Sequence, residues 1–479
     1  MKNWTIMIYM ASDNDLGDES IGALKGLFAV GVNANFAVVV QFDPFGKDNS
    51  RRYVLSTPRG EFALDKDGVL EKSGVKKRVP PTYTKKKGAL RSYLAQRIRE
   101  FFDFAIQGCP AENYLLVLAG HGSGAVGEVL MLDTSPLSFL SLTDVRDILK
   151  KISPTIKKIN GKDKIDILGF DSCAMSALEV GYELKDYIRY LVAAEGLESS
   201  LGWPYFRLTA TLKEKADFTP EELAHLLVKT HTAFYADFAT SGISGDLAVC
   251  DMQNIEGLKK SVANLAKVLL KKMSEEVKSR DTVKRVTQAI ITAHWEAQSY
   301  KFEEYTDLWD FCDLLEHHCE DEKVINVCRE VKKSISNESN QQGDLYPGAK
   351  EKTRYVLKSC YAGGCYQHSH GVSIFFPWVE DELGWKGYDK LRFVKDSNWK
   401  GFLKSYLDST TRKPRPSANP RARLQPVVAK AIATGFRYVP PYTRYVPPYS
   451  KYVPPYSKGF MGEGKVKNPP RKYFVDVYE

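Results

Sequence analysis

Short, continuously apolar runs recur along the first half of the chain. They are Thr5–Met10, Ala34–Phe42, Tyr114–Ala119, Ile165–Phe170 and Tyr190–Ala194. Such runs, rich in Val, Ile, Leu and aromatic residues, are typical of parallel strands buried on both faces. Longer stretches between them have the spacing of amphipathic helices: Leu90–Ile106, Thr143–Ile152 and Ala174–Leu184. This alternation predicts an α/β fold with a mostly parallel sheet flanked by helices over residues 1–253.

The character of the chain changes twice after this region. Residues 254–407 have mainly helical periodicity, with one strand signal at 371–377, and we expect an α+β domain packed on the first. Residues 408–479 contain a Pro-rich linker and then three copies of a seven-residue Tyr-Val-Pro-Pro-Tyr repeat. Two prolines in each repeat exclude helix, so this tail is expected to be extended and flexible. The polar segment 59–87 is expected to cross the surface as a long loop.

The net charge of +9 belongs to the tail. From residue 409 onward there are 14 Lys and Arg against 3 Asp and Glu, whereas the rest of the chain has 54 against 56. The apolar share of 43% is that of a globular protein, and no run approaches the roughly 20 residues that span a bilayer. The first residues lack the pattern of an export signal, which favours a cytoplasmic location and leaves another export route open.

The eight cysteines do not form the paired short motifs of a zinc site, and seven of them are expected to be buried, inert thiols. Cys173 differs because it follows the strand Ile165–Phe170 and precedes a helical stretch. A helix N-terminus and a neighbouring imidazolium both favour a thiolate over a thiol. His121 has a matching position, after the strand Tyr114–Ala119 and between Gly120 and Gly122. Taken singly, either residue would be more often structural; together they predict a nucleophile and its acid–base partner at the carboxyl edge of the sheet.

The sequence resembles the clostripain family of cysteine peptidases, which share a fold with caspases, legumains and gingipains. The matching segments are Ile8–Leu16, His121–Gly122, Asp171–Cys173, Thr306–Phe311, His370–Pro377 and Tyr388–Phe402. The resemblance covers about residues 4–407 and implies a caspase-like fold and a cysteine endopeptidase acting on proteins or peptides. It implies no cofactor and no metal, although calcium contributes in some relatives and stays an open alternative.

Roles follow from the resemblance position by position. His121 and Cys173 resemble the catalytic dyad, and the backbone N–H of Gly122 resembles an oxyanion-hole donor. Asp171 resembles an S1-pocket residue that selects Arg or Lys at P1, while a helix N-cap is the alternative role for its carboxylate. Leu201 and Trp203 are also expected in this pocket.

Two departures from the family pattern concern specificity and processing. Leu201 stands where relatives often carry a second acidic residue, so that only Glu195 or Glu198 could compensate. Residues 122–145 contain no Lys or Arg, although many relatives cut themselves in this interval. We therefore expect a single-chain enzyme, or cleavage around 157–164.

Rival interpretations remain for the tail and for the whole chain. The tail interleaves Tyr with Arg and Lys, which suits binding to a polyanion or to a domain that takes Pro-rich ligands, and equally suits a solvated spacer. For the whole chain, the alternatives are a non-catalytic interaction protein with the same fold, and a peptidase of altered P1 preference.

Overall fold

The computed structural model describes residues 1–14, 16–44, 50–55, 75–78, 89–126, 130–134, 137–239, 242–278, 285–300, 303–336, 354–378 and 387–410. The linker and repeat tail from residue 411, and most of the predicted surface loop at 59–87, lie outside these ranges. No helix in the described ranges has the length and apolarity needed to cross a membrane.

Strands and helices alternate through the described part of the chain. The strands are β1 (Lys2–Ser12), β2 (Phe36–Pro44), β3 (Arg51–Leu55), β4 (Val75–Arg78), β5 (Ala111–Ala119), β6 (Leu130–Thr134), β7 (Leu137–Leu140), β8 (Ile165–Asp171), β9 (Ile188–Ala193), β10 (Gly245–Asp251), β11 (Ser299–Tyr300), β12 (Tyr305–Asp307), β13 (Val356–Ala362) and β14 (Ser373–Phe375). The helices are α1 (Gly17–Val30), α2 (Ala89–Gly108), α3 (Leu142–Asn160), α4 (Leu178–Leu184), α5 (Tyr205–Glu214), α6 (Pro220–Ala236), α7 (Ile255–Lys278), α8 (Arg285–Glu296), α9 (Leu308–His318), α10 (Glu322–Ile335), α11 (Arg392–Ser397) and α12 (Trp399–Thr410).

The main sheet, as far as the structure describes it, has nine strands in the order β13-β10-β9-β8-β5-β1-β2-β3-β4. The five central strands, β9-β8-β5-β1-β2, run parallel, and antiparallel strands flank them on both sides. The predicted α/β fold with a mostly parallel central sheet is confirmed. The order reverses between β1 and β5, and the carboxyl ends of strands near such a reversal are where open α/β sheets bind ligands.

Both faces of the sheet are covered, which explains the continuous apolar runs. Along β1, Met7 and Tyr9 pack into one core with α2, α3 and α4. Ile6 and Ile8 alternate with them and pack into a second core with α1, α5 and α6. Successive side chains of a strand point to opposite faces of the sheet. A strand between two helical layers is buried on both faces, so its sequence is continuously apolar and does not alternate between apolar and polar residues.

The C-terminal region is mainly helical, as predicted, but it is not separate from the sheet. Helices α7–α12 and the small sheet β11-β12-β14 come from this region. So does β13, which pairs antiparallel with β10, Cys360 opposite Leu247. The expected boundary at 253–254 therefore falls after β10 along the chain, while a strand from more than 100 residues later completes the edge of the same sheet.

Candidate active site

The register of two neighbouring strands brings His121 and Cys173 to the same edge of the sheet. In the parallel pair β5 and β8, Ala119 lies opposite Asp171. The pairing extends one residue further, since the N–H of Gly120 donates to the carbonyl oxygen of Asp171 at 3.2 Å. His121 and Cys173 each come two residues after the Ala119–Asp171 pair. The two residues singled out in the sequence thus follow adjacent strands at the same position relative to the edge of the sheet.

Gly122 lies directly against the backbone of Cys173. A Cβ atom at Gly122 would be 2.6 Å from the carbonyl oxygen of Cys173 and 2.9 Å from its backbone nitrogen. Real Cβ atoms do not approach other heavy atoms so closely, so no other residue fits here without displacing the loop or the turn. The predicted oxyanion-hole residue therefore lies beside Cys173, and its glycine identity has a steric reason.

The turn that carries Cys173 differs from the expected one. Helix α4 begins at Leu178, and the intervening segment includes Ala174 in the left-handed region at φ +59°. The expectation that a helix starts directly after Cys173 and stabilises its thiolate is wrong, because a helix dipole acts only within about one turn. The alternative role of Asp171 as a helix N-cap is also excluded, since Ala177 holds that position.

A backbone amide takes the place of the helix at the sulfur. The N–H of Glu198 donates to Cys173 Sγ at 3.2 Å. The loop that contains Glu198 is fastened to the turn by two further bonds, from Ala174 N–H to the oxygen of Gly196 and from Ser176 N–H to that of Ala194, each 2.8 Å. The sulfur also lies 3.9 Å from the carbonyl oxygen of Glu198, to which a thiol donates. The amide of Glu198 therefore favours the charged form of the sulfur, and its carbonyl favours the neutral form. The structure also buries both Cys173 and His121, with 0% and 8% of their surfaces exposed.

Other buried cysteines have surroundings that oppose ionisation. Burial raises the pKa of Cys250 from 9.0 to about 12. Burial also raises the pKa of Cys312, where the neighbouring Cys328 adds to the effect, and that of Cys319. A thiol that stays protonated is a poor nucleophile, so these three are inert as the sequence suggested.

The predicted specificity residues Asp171 and Trp203 meet around Tyr205. The hydroxyl of Tyr205 donates to Asp171 Oδ2 at 2.7 Å, and both side chains are buried. The indole of Trp203 lies over Gly169, two residues before Asp171 on β8, where a Cβ atom would be 2.7 Å from the ring. Leu201 is placed elsewhere: it packs at the edge of a small apolar cluster with Phe234 and Tyr235.

The two glutamates left unassigned by the sequence face opposite ways. Glu198 accepts a hydrogen bond from Trp203 Nε1 at 3.0 Å and lies 4.0 Å from His231 Nε2. Burial raises the pKa of Tyr205 well above its ordinary value, and the charges of both Asp171 and Glu198 add to the rise. Glu198 is therefore a second carboxyl group beside Tyr205. It lies three residues before Leu201, the position at which relatives often carry an acidic residue.

Glu195 points away from this pocket, toward the C-terminal region. Its Oε2 accepts the N–H of Gly371 at 2.6 Å, and burial, with the charges of Asp307 and Asp246, raises its pKa well above the ordinary value. Despite these acids, no group of three or more His, Cys, Asp or Glu among the described side chains is arranged to hold a metal ion.

Comparisons with known proteins agree on one family. The model of the clostripain family matches residues 8–406. Clostripain of Hathewaya histolytica is 23% identical over 481 residues, covering 85% of this chain and 87% of its own. A solved structure of a secreted C11 cysteine protease from Bacteroides thetaiotaomicron, in complex with an irreversible peptide inhibitor, superposes with a TM-score of 0.56 at 16% identity, covering 83% of this chain and all of that one. A second structure of a secreted C11 protease from the same organism, called iotapain, gives 0.52 at 17% identity, with 83% and 99% covered.

Proposed function

The chain belongs to the clostripain family and is a cysteine endopeptidase, and from that premise we propose that Cys173 and His121 form its catalytic dyad and that it cleaves after Arg or Lys. The observation that carries this proposal is the register of β5 and β8, which brings both residues to one edge of the sheet. The glycine contact at Gly122 and the Glu198 amide at the sulfur support it further.

In the proposed mechanism, the thiolate of Cys173 attacks the scissile carbonyl carbon. Negative charge develops on the carbonyl oxygen and is stabilised by the backbone N–H groups of Gly122 and Cys173. His121 donates a proton to the leaving amine as the C–N bond breaks, which leaves a thioester on Cys173. His121 then takes a proton from water, and the resulting hydroxide attacks the thioester. The C–S bond breaks, the carboxylic acid departs, and the thiolate of Cys173 is regenerated beside the protonated His121.

The proposed preference for a basic P1 residue rests on two carboxyl groups. Asp171 and Glu198 both lie beside Tyr205, so a guanidinium or ammonium group entering between them would meet two negative charges. Glu198 would supply the second charge that the Leu201 position lacks. A charge-assisted contact contributes about 1.5–3 kcal/mol, which corresponds to roughly 10- to 100-fold discrimination per carboxylate.

The dyad and the preference are tested with one panel of fluorogenic peptides that carry Arg, Lys, Asn or Asp at P1. Cys173→Ala and His121→Ala are expected to abolish hydrolysis, whereas Cys360→Ala, a cysteine on β13, is the matched control and stays active. Asp171→Asn and Glu198→Gln are expected to reduce cleavage after Arg more than cleavage after Asn. Glu198→Gln keeps the backbone N–H at the sulfur, so it isolates the charge.

The same panel separates the rival interpretations. A wild-type chain that cleaves none of the peptides would favour the non-catalytic interaction protein. Cleavage after Asn with the same efficiency as after Arg would favour altered P1 preference and remove the proposed role of Asp171 and Glu198.

We also infer that the enzyme works as a single chain, because residues 122–145 contain no basic residue. Gel analysis of the purified protein is expected to give one band, and a new N-terminus between 123 and 145 would refute this. Cleavage around 157–164, at the end of α3, is the alternative.

Location and the role of the tail are proposed from the sequence alone. A cytoplasmic location is tested by cell fractionation, with the two relatives described as secreted favouring the export alternative. The excess of 14 basic over 3 acidic residues from 409 onward supports polyanion binding. Salt-dependent retention on heparin that is lost on deleting residues 409–479 is the expected result, and unchanged retention would favour a spacer.

A further inference from the structure

A strand of the C-terminal region holds the loop that follows His121. Tyr305, the first residue of β12, is fully buried, and its hydroxyl accepts hydrogen bonds from the N–H groups of Ala125 at 2.8 Å and Val126 at 3.2 Å. It donates a third bond to the carbonyl oxygen of Ser123 at 3.1 Å. These contacts match the one donor and two acceptor sites of a hydroxyl, so three backbone groups within five residues of His121 are held by one side-chain oxygen.

The loop is also pressed between Tyr305 and the turn of the nucleophile. Gly124 has a φ of +75°, and a Cβ atom there would be 2.5 Å from the Tyr305 hydroxyl oxygen and 3.0 Å from the carbonyl oxygen of Ala174. Ala174 directly follows Cys173. A shift of the loop away from Tyr305 would therefore move His121 relative to the sulfur.

The turn of Cys173 is held by different contacts. Asp246 accepts the N–H groups of Glu195 at 2.7 Å and Gly196 at 2.9 Å, and the oxygen of Gly196 accepts the N–H of Ala174. Tyr305 takes no part in these bonds. The histidine side and the cysteine side of the site thus have separate supports, and removal of the Tyr305 hydroxyl acts first on the histidine side.

We propose that Tyr305 is a positioning residue that holds His121 in register with Cys173, so that the C-terminal region completes the catalytic site. The inference rests on the proposed dyad. It assigns a function to β12 beyond packing: the hydroxyl fixes the imidazole loop, while the rest of the tyrosine ring fills the core.

Tyr305→Phe removes the hydroxyl and keeps the ring. The expected effect is a loss of about 10- to 100-fold in kcat/KM for an Arg peptide, carried by kcat with KM little changed, because small misplacements of a catalytic group cost up to about 100-fold. Tyr406→Phe is the matched control. That tyrosine is also fully buried in the C-terminal region, and its hydroxyl bonds His294 Nδ1 at 2.9 Å, away from both catalytic loops. The control is expected to keep wild-type kinetics.

A second readout does not depend on peptide hydrolysis. Alkylation of Cys173 by iodoacetamide is followed by mass spectrometry from pH 5 to 9, with half-buried Cys360 as the internal reference. If the proposed dyad is present, wild-type Cys173 is expected to react at lower pH than the reference. In Tyr305→Phe the profile of Cys173 is expected to shift toward higher pH, and in Tyr406→Phe it is expected to stay unchanged.

The outcomes separate this inference from the function on which it rests. If the wild type is active and Tyr305→Phe matches it in kcat and in the alkylation profile, only the inference is overturned. The same holds if Tyr406→Phe is impaired to the same degree, since the effect would then reflect general stability. A wild type without turnover and without early alkylation of Cys173 overturns the proposed dyad, and the positioning role with it.

Discussion

Glu179, in the first turn of α4, is a buried carboxyl group whose ionisation the fold opposes. Its Oε1 accepts hydrogen bonds from the N–H of Phe375 at 3.1 Å and from the hydroxyl of Tyr388 at 2.8 Å. Its other oxygen, Oε2, has no hydrogen-bond partner among the described residues, and no cation is among the causes of its pKa shift. Burial is the main cause that raises its pKa from an ordinary value of 4.5 to about 7, and the hydrogen bonds offset only part of that rise.

This rise in pKa fixes the sign of a stability change with pH. The folded chain binds the Glu179 proton more tightly than the unfolded chain does, so the stabilisation is complete below about pH 4.5 and is lost as the pH rises through about 7. Each tenfold difference in proton binding is worth about 1.4 kcal/mol, so the whole effect is about 3 kcal/mol. Most of it falls between pH 5 and pH 8.

Glu179→Gln removes the proton equilibrium and keeps an oxygen that accepts both hydrogen bonds. Urea unfolding followed by tryptophan fluorescence, at pH 5 and pH 8 in a Cys173→Ala background, measures the free energy of unfolding without self-digestion. The variant is expected to be close to its parent at pH 5 and more stable than it by about 2–3 kcal/mol at pH 8.

The control is Glu183→Gln, one turn further along α4. Glu183 is equally buried but is paired with Arg146 and Arg392, so its loss should destabilise the chain at pH 8. The reasoning is refuted if Glu179→Gln and its parent lose the same free energy of unfolding between pH 5 and pH 8.

Three further predictions concern the site. Gly122→Ala forces a Cβ atom to within 2.6 Å of the Cys173 carbonyl oxygen, so kcat measured with an Arg peptide should fall about 100-fold, and wild-type kcat would contradict the contact. Tyr205→Phe removes the hydroxyl that donates to the Asp171 carboxylate and so makes that carboxylate easier to protonate; as the pH falls, Arg-peptide affinity should be lost at a higher pH than in the wild type, and an unchanged KM–pH profile would speak against a shared pocket. Asp246→Asn replaces one carboxylate oxygen by an NH2 group, so one of the two backbone N–H groups bound by Asp246 in the loop after β9 loses its acceptor. The free energy of unfolding in urea should fall by about 1–3 kcal/mol, and an unaltered midpoint would show that these two bonds do not hold the loop.

The sequence pattern predicted the centre of the molecule well. Each of its five apolar runs overlaps one of the five parallel strands and extends at most two residues beyond its ends, because a strand covered on both faces must be apolar throughout. The position of His121 and Cys173 after neighbouring strands was predicted for the same reason: parallel neighbours end at the same edge of a sheet. That prediction required only the positions of two residues relative to two strands.

Features that depend on distant parts of the chain could not be predicted. Ala177, the residue before α4, forms a bridge with Ser373, almost 200 residues later. Tyr305 reaches the His121 loop from another region, and no local pattern marks that contact. Glu198 could have been found, as an acid three residues before Leu201, but only the fold decides which of the two nearby glutamates lies with Asp171 near Tyr205.

The edge strand β13 is synthesised much later than the other strands of the main sheet. It pairs with β10, but its last residue, Ala362, is synthesised 189 residues after Cys173. At about 5–20 residues per second, a ribosome needs roughly 10–40 s to cover that interval. During it, the nascent chain already contains His121 and Cys173 but lacks Tyr305 for the first part of the wait. Once β10 is made, the strand that pairs with its outer edge is still missing. The edge of the sheet beside β10 is therefore completed only when nearly all of the residues that the structure describes have been synthesised.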